Sequence, residues 1–325
     1  MAQHRALVLG VNGQDGSYLA ESLLARGWSV HGVGRQAESR WLGDTRDFSY
    51  HELDLTDIDA FSTLLKALQP DFIFHMAAVH GASGFPYESH WKEAHAVNTL
   101  AAHAVLEYLR ANAHNAAMIY ASSSKVFGLE LPAVVTESSP RTSSCIYSTT
   151  KNAATDLIRY YRLRHRVRAS VIWTFNHESP RRGGEYFIPN IVNILANSIL
   201  DPGFVGRIGT LQFASDWGDA AEYMDILTDI AEKLPGEDFI LASGTTWAAK
   251  EFVDALFQRY QLCSQVHLIE QQLASPVTSP PDWHADLSTL RNKLGRIPQR
   301  GILQVCDEIL KSNHPEAWRK TRTTV

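Results

Sequence analysis

The chain has 325 residues, 45% of them hydrophobic and 20% charged, with a formal net charge of -5. That length suits one large or two modest domains, and the slight acidic balance gives no global basic field for nucleic acid or a membrane surface. No apolar run reaches membrane-spanning length. Three cysteines, Cys145, Cys263 and Cys306, show neither disulfide nor metal spacing, which suits a reducing, cytoplasmic setting. Fourteen histidines come without an H-E-x-x-H or an acid-rich cluster, so no metal site is expected. The N-terminus runs straight into a strand, with no signal-peptide pattern.

Residues 6–9 read as a short apolar strand that breaks at G-V-N-G-Q-D-G. This places Gly10, Gly13, Gln14, Asp15 and Gly16 in a turn before a helix over 17–26, and a second strand follows at 29–32. Strand, glycine turn, helix, strand is the context in which such a fingerprint binds a dinucleotide. Gly10 permits the tight turn, Gly13 lets the backbone approach the pyrophosphate, and Gly16 lets helix and strand pack closely. The phosphates would sit at the helix N-terminus. The second strand ends in Gly32-Val33-Gly34-Arg35, with no acid for the ribose hydroxyls. Arg35 can pair with a 2′-phosphate, so NADP(H) is expected ahead of NAD(H).

Farther on, Asp54 and Leu55 are expected to flank the adenine, and a helix over 57–68 is ended by Pro70. Residues 71–78 (D-F-I-F-H-M-A-A) are continuously apolar, as a buried parallel strand is. The end of that strand, with Ala77, Ala78 and His80, falls where open α/β sheets bind ligands. One long helix is expected over 90–112, then a strand over 116–122 leading to Ser123, Ser124 and Lys125.

The sequence Y-S-T-T-K follows a loop. Tyr147 and Lys151 are four apart and share a helix face. As a surface pair they would be worth only about 0.2–0.5 kcal/mol. As chemistry they are worth more: a nearby ammonium stabilises a phenolate, which can take an alcohol proton as hydride leaves the carbinol carbon, or return it to a ketone. Ser123 would hold the same oxygen. Tyr147 is the one tyrosine of eleven with Lys at i+4. The basic run over 159–168 alternates with apolar residues and reads as a solvated or interface face.

A strand over 169–175 closes this pattern of alternating strands and helices, which predicts an α/β fold: a Rossmann-type doubly wound parallel sheet with a smaller C-terminal substrate-binding domain. The dinucleotide domain is expected over 1–175 and the substrate domain mainly over 176–325. A strand at 238–242 returns to the first domain. A helix over 247–260, a proline-rich loop over 273–283 and a last helix over 301–312 complete the reading.

G-x-x-G-x-x-G, S-S-S-x-V-F-G and Y-x-x-x-K together resemble extended short-chain dehydrogenases/reductases acting on nucleotide sugars. Within that group the chain is most similar to the GDP-mannose 4,6-dehydratases. The similarity lies in G-V-N-G-Q-D-G-S-Y-L-A-E at 10–21, F-N-H-E-S-P-R-R-G at 175–183, D-W-G-D-A at 216–220 and K-L-G at 293–295. The resemblance implies an NADP-dependent enzyme acting on a nucleotide-diphosphate sugar, GDP-linked by analogy. C4 of the hexose would be oxidised with Tyr147 as base, assisted by Lys151 and Ser123. A carboxylate would then remove the C5 proton, water would leave from C6, and hydride would return there. Asn176, Arg181 and Arg182 would contact diphosphate or phosphate. A homodimer formed through the two long helices, or a homotetramer supported by Arg181 and Arg182, is also implied.

The chain departs from this family where the chemistry is done. Lys125 stands where the family has its Glu base, and a charged ammonium cannot accept a proton. Glu130, Glu137 and Glu178 are the carboxylates available to replace it. Ser215 stands where the family has a diphosphate-binding Arg, leaving Arg181 or Arg207 to take over, and 187–190 lacks a basic residue usual there. Three readings remain open. They are a dehydratase with a relocated base, an epimerase or 4-keto reductase needing only Ser123, Tyr147 and Lys151, and a non-catalytic NADP(H)-binding regulator.

Overall fold

The computed structural model describes residues 3–112, 115–271 and 282–322. Most of the proline-rich loop expected over 273–283 lies outside the described residues. A seven-stranded parallel sheet is built from β1 (Arg5–Leu9), β2 (Ser29–Gly34), β3 (Phe48–Glu52), β4 (Phe72–His75), β5 (Ala117–Ser123) and the strands Arg168–Thr174 and Phe239–Leu241. Its spatial order is β3-β2-β1-β4-β5, then Arg168–Thr174, then Phe239–Leu241 at the far edge. The order reverses on either side of β1, whose neighbours are β2 and β4. A ligand crevice opens at such a switch point, outside the carboxyl ends of the strands.

Alternation along β1 sends Leu7 and Leu9 into one apolar layer and Ala6 and Val8 into the other, all fully buried. This is why the strand reads as continuously apolar. The helices α1 (Gln14–Ala25) and Ala220–Lys233 cover one face, and α2 (Ile58–Leu68) and Ala101–Asn112 the other. The start of α2 is fixed by Asp57, whose carboxylate accepts from the Ala60 N–H at 2.9 Å. Gln69, left-handed at φ 47°, ends it ahead of Pro70.

The long helix expected over 90–112 is instead a composite. A 3-10 turn at Tyr87–His90 leads to an α-helical turn at Trp91–His95, a π turn at Ala96–Leu100, and then the helix Ala101–Asn112. Asn98 accounts for the interruption. Its side chain accepts from the Val79 N–H at 2.9 Å and donates to Thr150 Oγ1 at 3.0 Å. Its backbone carbonyl accepts from the Tyr120 hydroxyl at 2.7 Å, so the π turn ties three neighbouring elements together at the crevice.

The polar stretch after Phe175 is not loop throughout. Asn176–Glu178 pairs with Ala214–Asp219, which also pairs with Thr246–Ala248. A third apolar layer forms beside it from the helices Phe187–Leu200, Ala249–Arg259 and Ile302–Asn313. No helix among the described residues is long and apolar enough to cross a membrane.

Candidate active site

A cleft of about 680 Å³ lies over the carboxyl ends of β1, β4 and β5. Gly10, Gly13, Gln14, Asp15, Gly16, Arg35, Asp54, Leu55, Ala77, Ala78, His80, Ser123, Tyr147, Lys151, Asn176 and Arg181, each singled out from sequence, all line it. Ser124, Lys125 and Arg207 are not part of that lining.

At one end, Gly13 caps α1 without a side-chain hydrogen bond. The first-turn N–H groups have no intrahelical partner and carry the positive end of the helix dipole. The turn fits a dinucleotide diphosphate because its backbone is bare. A Cβ on Gly16 would stand 2.3 Å from the Gly10 carbonyl oxygen, and one on Gly10, at φ +84°, 2.8 Å from Ala77 backbone atoms. Arg35, exposed, lies at the cleft edge after β2.

At the other end, the helix Ile146–His165 buries Tyr147, Thr150, Lys151, Ala154, Thr155 and Ile158 on one face. Its first turn is set by Ser148, whose hydroxyl accepts from the Ser144 and Cys145 N–H groups. Tyr147 and Lys151 therefore both point inward, as their spacing predicts. The Lys151 ammonium donates to the Ala121 carbonyl at 2.7 Å and lies 4.6 Å from the Tyr120 ring centroid and 5.7 Å from that of Tyr147. Burial brings its pKa down to about 7, against a small opposing pull from Asp15.

The expectation that Lys151 lowers the Tyr147 pKa needs correction. Burial dominates and raises that pKa well above the ordinary phenol value, while a hydrogen bond with Ser123 works in the opposite sense. The phenol is thus held protonated, the state in which it can donate a proton to a ketone. An added positive charge beside it is needed for the reverse step.

His80 stacks on Tyr147, with centroids 4.5 Å apart and planes 19° from parallel. Its Nδ1 is 2.6 Å from the Tyr87 hydroxyl. Burial, then Lys125, Arg182 and Lys151, push the His80 pKa down to about 3, so the imidazole is neutral. Tyr87 gave no sequence signal, because its partner is fixed only by the turn after β4.

The segment 175–183 is anchored to α1. His177 Nε2 is 2.9 Å from Asp15 Oδ1, the Gln14 amide donates to the His177 carbonyl at 3.2 Å, and the Ser179 hydroxyl donates to Gln14 Oε1 at 2.8 Å. Burial opposes the Asp15 charge, but His177 outweighs it and the carboxyl is held well below its usual range. Burial likewise opposes a charge on His177, yet Asp15 raises its pKa on balance.

Arg181, expected on the substrate, spends its guanidinium within the protein. It donates to Ser17 Oγ at 2.8 Å, pairs with Glu21 and lies 3.9 Å from the Tyr18 ring centroid. Arg182 sits 3.8 Å over the Tyr186 ring and 3.6 Å from Glu178. Arg207 is corrected outright: it is exposed on the strand Gly206–Ile208, which pairs with Leu268–Glu270 away from the cleft. Ser124 and Lys125 occupy the turn after Ser123, whose hydroxyl accepts from the Lys125 N–H at 3.2 Å. Asn176 donates to Ser215 Oγ at 2.7 Å. No group of three metal-ligating side chains occurs among the described residues.

The sequence profile of the GDP-mannose 4,6 dehydratase family matches residues 7–298. The chain belongs to the GDP-mannose 4,6-dehydratase family. It is thereby an enzyme of the short-chain dehydrogenase/reductase superfamily, in the nucleotide-sugar dehydratase/epimerase group. A GDP-mannose 4,6-dehydratase of Yersinia enterocolitica is 28% identical, over 96% of this chain and 94% of that protein. The GDP-mannose 4,6 dehydratase 2 of Caenorhabditis elegans is 30% identical over 78% and 69%. The fold is shared with UDP-glucose 4-epimerase of Thermotoga maritima (TM-score 0.81, 16% identity, 96% and 99% covered). It is shared too with dTDP-glucose 4,6-dehydratase of Bacillus anthracis, solved with NAD (TM-score 0.79, 15% identity, 98% and 99% covered). The cleft brings Ser123, Tyr147 and Lys151 together, and Lys125 stands in the turn beyond Ser123.

Proposed function

We propose that this member of the family carries out redox chemistry at C4 of a nucleotide-linked hexose, with epimerisation or 4-keto reduction as its net reaction. Ser123, Tyr147 and Lys151 meet in one cleft, while none of the carboxylates suggested as a replacement C5 base lines it. Glu130 is exposed. Glu137 accepts from the Ile240 N–H at 3.2 Å and the Thr289 hydroxyl at 3.2 Å, and Glu178 is buried behind the lining. That observation carries the reading, because C4 oxidation and reduction need no carboxylate whereas C5 deprotonation needs a base. The family match over most of the chain is what supports the dehydratase alternative.

A nicotinamide dinucleotide would supply the hydride acceptor and donor. The α1 N-terminus and Gly10, Gly13 and Gly16 would hold its diphosphate, and Asp54 and Leu55 its adenosine. Arg35 supports NADP(H) over NAD(H). Tyr147 exchanges a proton with the O4 oxygen, Ser123 holds that oxygen, and Lys151 supplies positive charge beside the Tyr120 and Tyr147 rings. A GDP-linked substrate and a homo-oligomer are supported by the family alone.

The test is incubation with GDP-mannose, UDP-glucose and their 4-keto derivatives, with cofactor, in deuterated water. A C4 epimer or a C4 alcohol without loss of water is expected. Loss of water with deuterium at C5 would overturn the proposal in favour of dehydration.

A further inference from the structure

Cationic side chains gather at the reactive end of the cleft, beside a neutral imidazole. Arg182 and His80 line it, and Lys125 stands in the turn immediately beyond Ser123. Lys125, Arg182 and Lys151 all act against a charge on His80. Two acids lie near them, and Glu178 is 3.6 Å from Arg182. Asp15 is bonded to His177, and Glu178 is 4% exposed with one carboxyl oxygen lacking any hydrogen-bond partner. Burial raises the Glu178 pKa to about 7, Arg182 opposing. Among the described residues no carboxylate pairs with Lys125, which is exposed. The Arg182 guanidinium, 3.8 Å above the Tyr186 ring, has its Nε 3.6 Å from Glu178 Oε2, too far for a hydrogen bond.

Such a cluster favours an anionic ligand. Charge-assisted bonds to a carboxylate or phosphate are roughly twice as strong as neutral ones, and an anion would remove the repulsion among the cations. His80 adds a neutral donor or acceptor: its Nδ1 is engaged by Tyr87, which leaves Nε2 for a ligand oxygen.

We propose that the enzyme takes a nucleotide-linked hexuronate, a sugar with a carboxylate beside the reacting carbon, and that Lys125 and Arg182 are its counter-ions with His80 as a neutral hydrogen-bond partner. This rests on the C4 redox reading. The placement is argued from the chain: Lys125 is two residues past Ser123, Arg182 lines the same cleft and His80 is stacked on Tyr147, so a carboxylate on the carbon beside C4 would face this group. The other source of the same charge is the substrate diphosphate, common to every nucleotide sugar.

Binding and turnover of UDP-glucuronate and UDP-glucose, and of GDP-mannuronate and GDP-mannose, by the cofactor-loaded enzyme separate these. Calorimetry should show the uronate of a pair binding about tenfold or more tighter. Lys125→Glu, a change at an exposed position, should abolish or reverse that preference, with dinucleotide binding intact. Equal affinity for acid and neutral sugar, or an equal loss for both in Lys125→Glu, would mean that the cations serve the diphosphate and overturns the proposal. The turnover arm reports on the C4 reading separately. A uronate preference in binding without C4 chemistry sinks that reading and leaves the recognition standing.

Discussion

Replacing Glu178 by Gln tests the electrostatics of the segment that closes the cleft. Glu178 is 4% exposed and its Oε2 atom has no hydrogen-bond partner. Burial raises its pKa from 4.5 to about 7, with Arg182 and His177 opposing. A carboxyl whose pKa is raised on folding keeps its proton in the folded state while the unfolded chain releases it. Stability is therefore lost as pH climbs from the unfolded value, 4.5, through the folded one, about 7. At about 1.4 kcal/mol per pKa unit the whole effect is roughly 3 kcal/mol. Gln has the shape of the protonated acid and does not titrate. In urea unfolding, the stability of Glu178→Gln relative to wild type should increase by about 2–3 kcal/mol between about pH 5 and pH 8. Comparing the two proteins cancels the titrating groups that do not interact with Glu178, which leaves His177 as the neighbour whose titration also responds. A constant offset across that range would refute the reasoning and show that the carboxylate is well solvated or well paired by Arg182.

Three further outcomes are expected. Tyr147→Phe should slow C4 chemistry by about 10²–10⁴-fold in steady-state assays and leave dinucleotide affinity within a factor of a few; retained turnover would remove Tyr147 from the proton step. Gly16→Ala places a Cβ 2.3 Å from the Gly10 carbonyl oxygen and 2.8 Å from Val11 Cα. Overpacking against backbone should cost about 1–3 kcal/mol in thermal unfolding and weaken dinucleotide titrations, whereas unchanged binding would mean that the turn can open freely. Arg35→Ala should reduce a preference for NADPH over NADH by about tenfold, measured as the ratio of their dissociation constants; an unchanged ratio would show that Arg35 does not read the 2′-phosphate.

The parts of this molecule that the sequence discloses are those with a local period. Leu7 and Leu9 alternate with Ala6 and Val8 to declare a strand buried on both faces. Gly10 and Gly16 declare the turn because only a bare backbone fits there, and Tyr147 and Lys151 declare a common face at i and i+4. What stays hidden depends on partners far away in sequence. Asn98 gives no sign that it will bond Val79 and Thr150 and break a helix that looks continuous. His177 and Asp15 are 162 residues apart and meet only because Asn176–Glu178 joins a small sheet beside α1. Arg181 and Arg207 look alike as diphosphate ligands, but tertiary structure binds one to Glu21 and sends the other to an exposed strand. The Tyr147 pKa is misjudged from sequence for a related reason: spacing shows that Lys151 is near, whereas the depth of burial that outweighs it is a property of the whole fold.

The anchoring of 175–183 to the first turn of α1 also bears on energetic communication. Gln14 and Asp15 belong to the turn proposed to hold a diphosphate, and the same two side chains bind His177 and Ser179. Were 175–183 to hold the sugar nucleotide, as proposed, these bonds would join the two sites, and any change of affinity would be by the same factor in both directions. A dinucleotide that stiffens this turn lowers the ordering entropy left for the sugar nucleotide to lose. Cooperativity between the two ligands would then run through one helical turn, which ties 175–183 to α1 by Gln14 and Asp15.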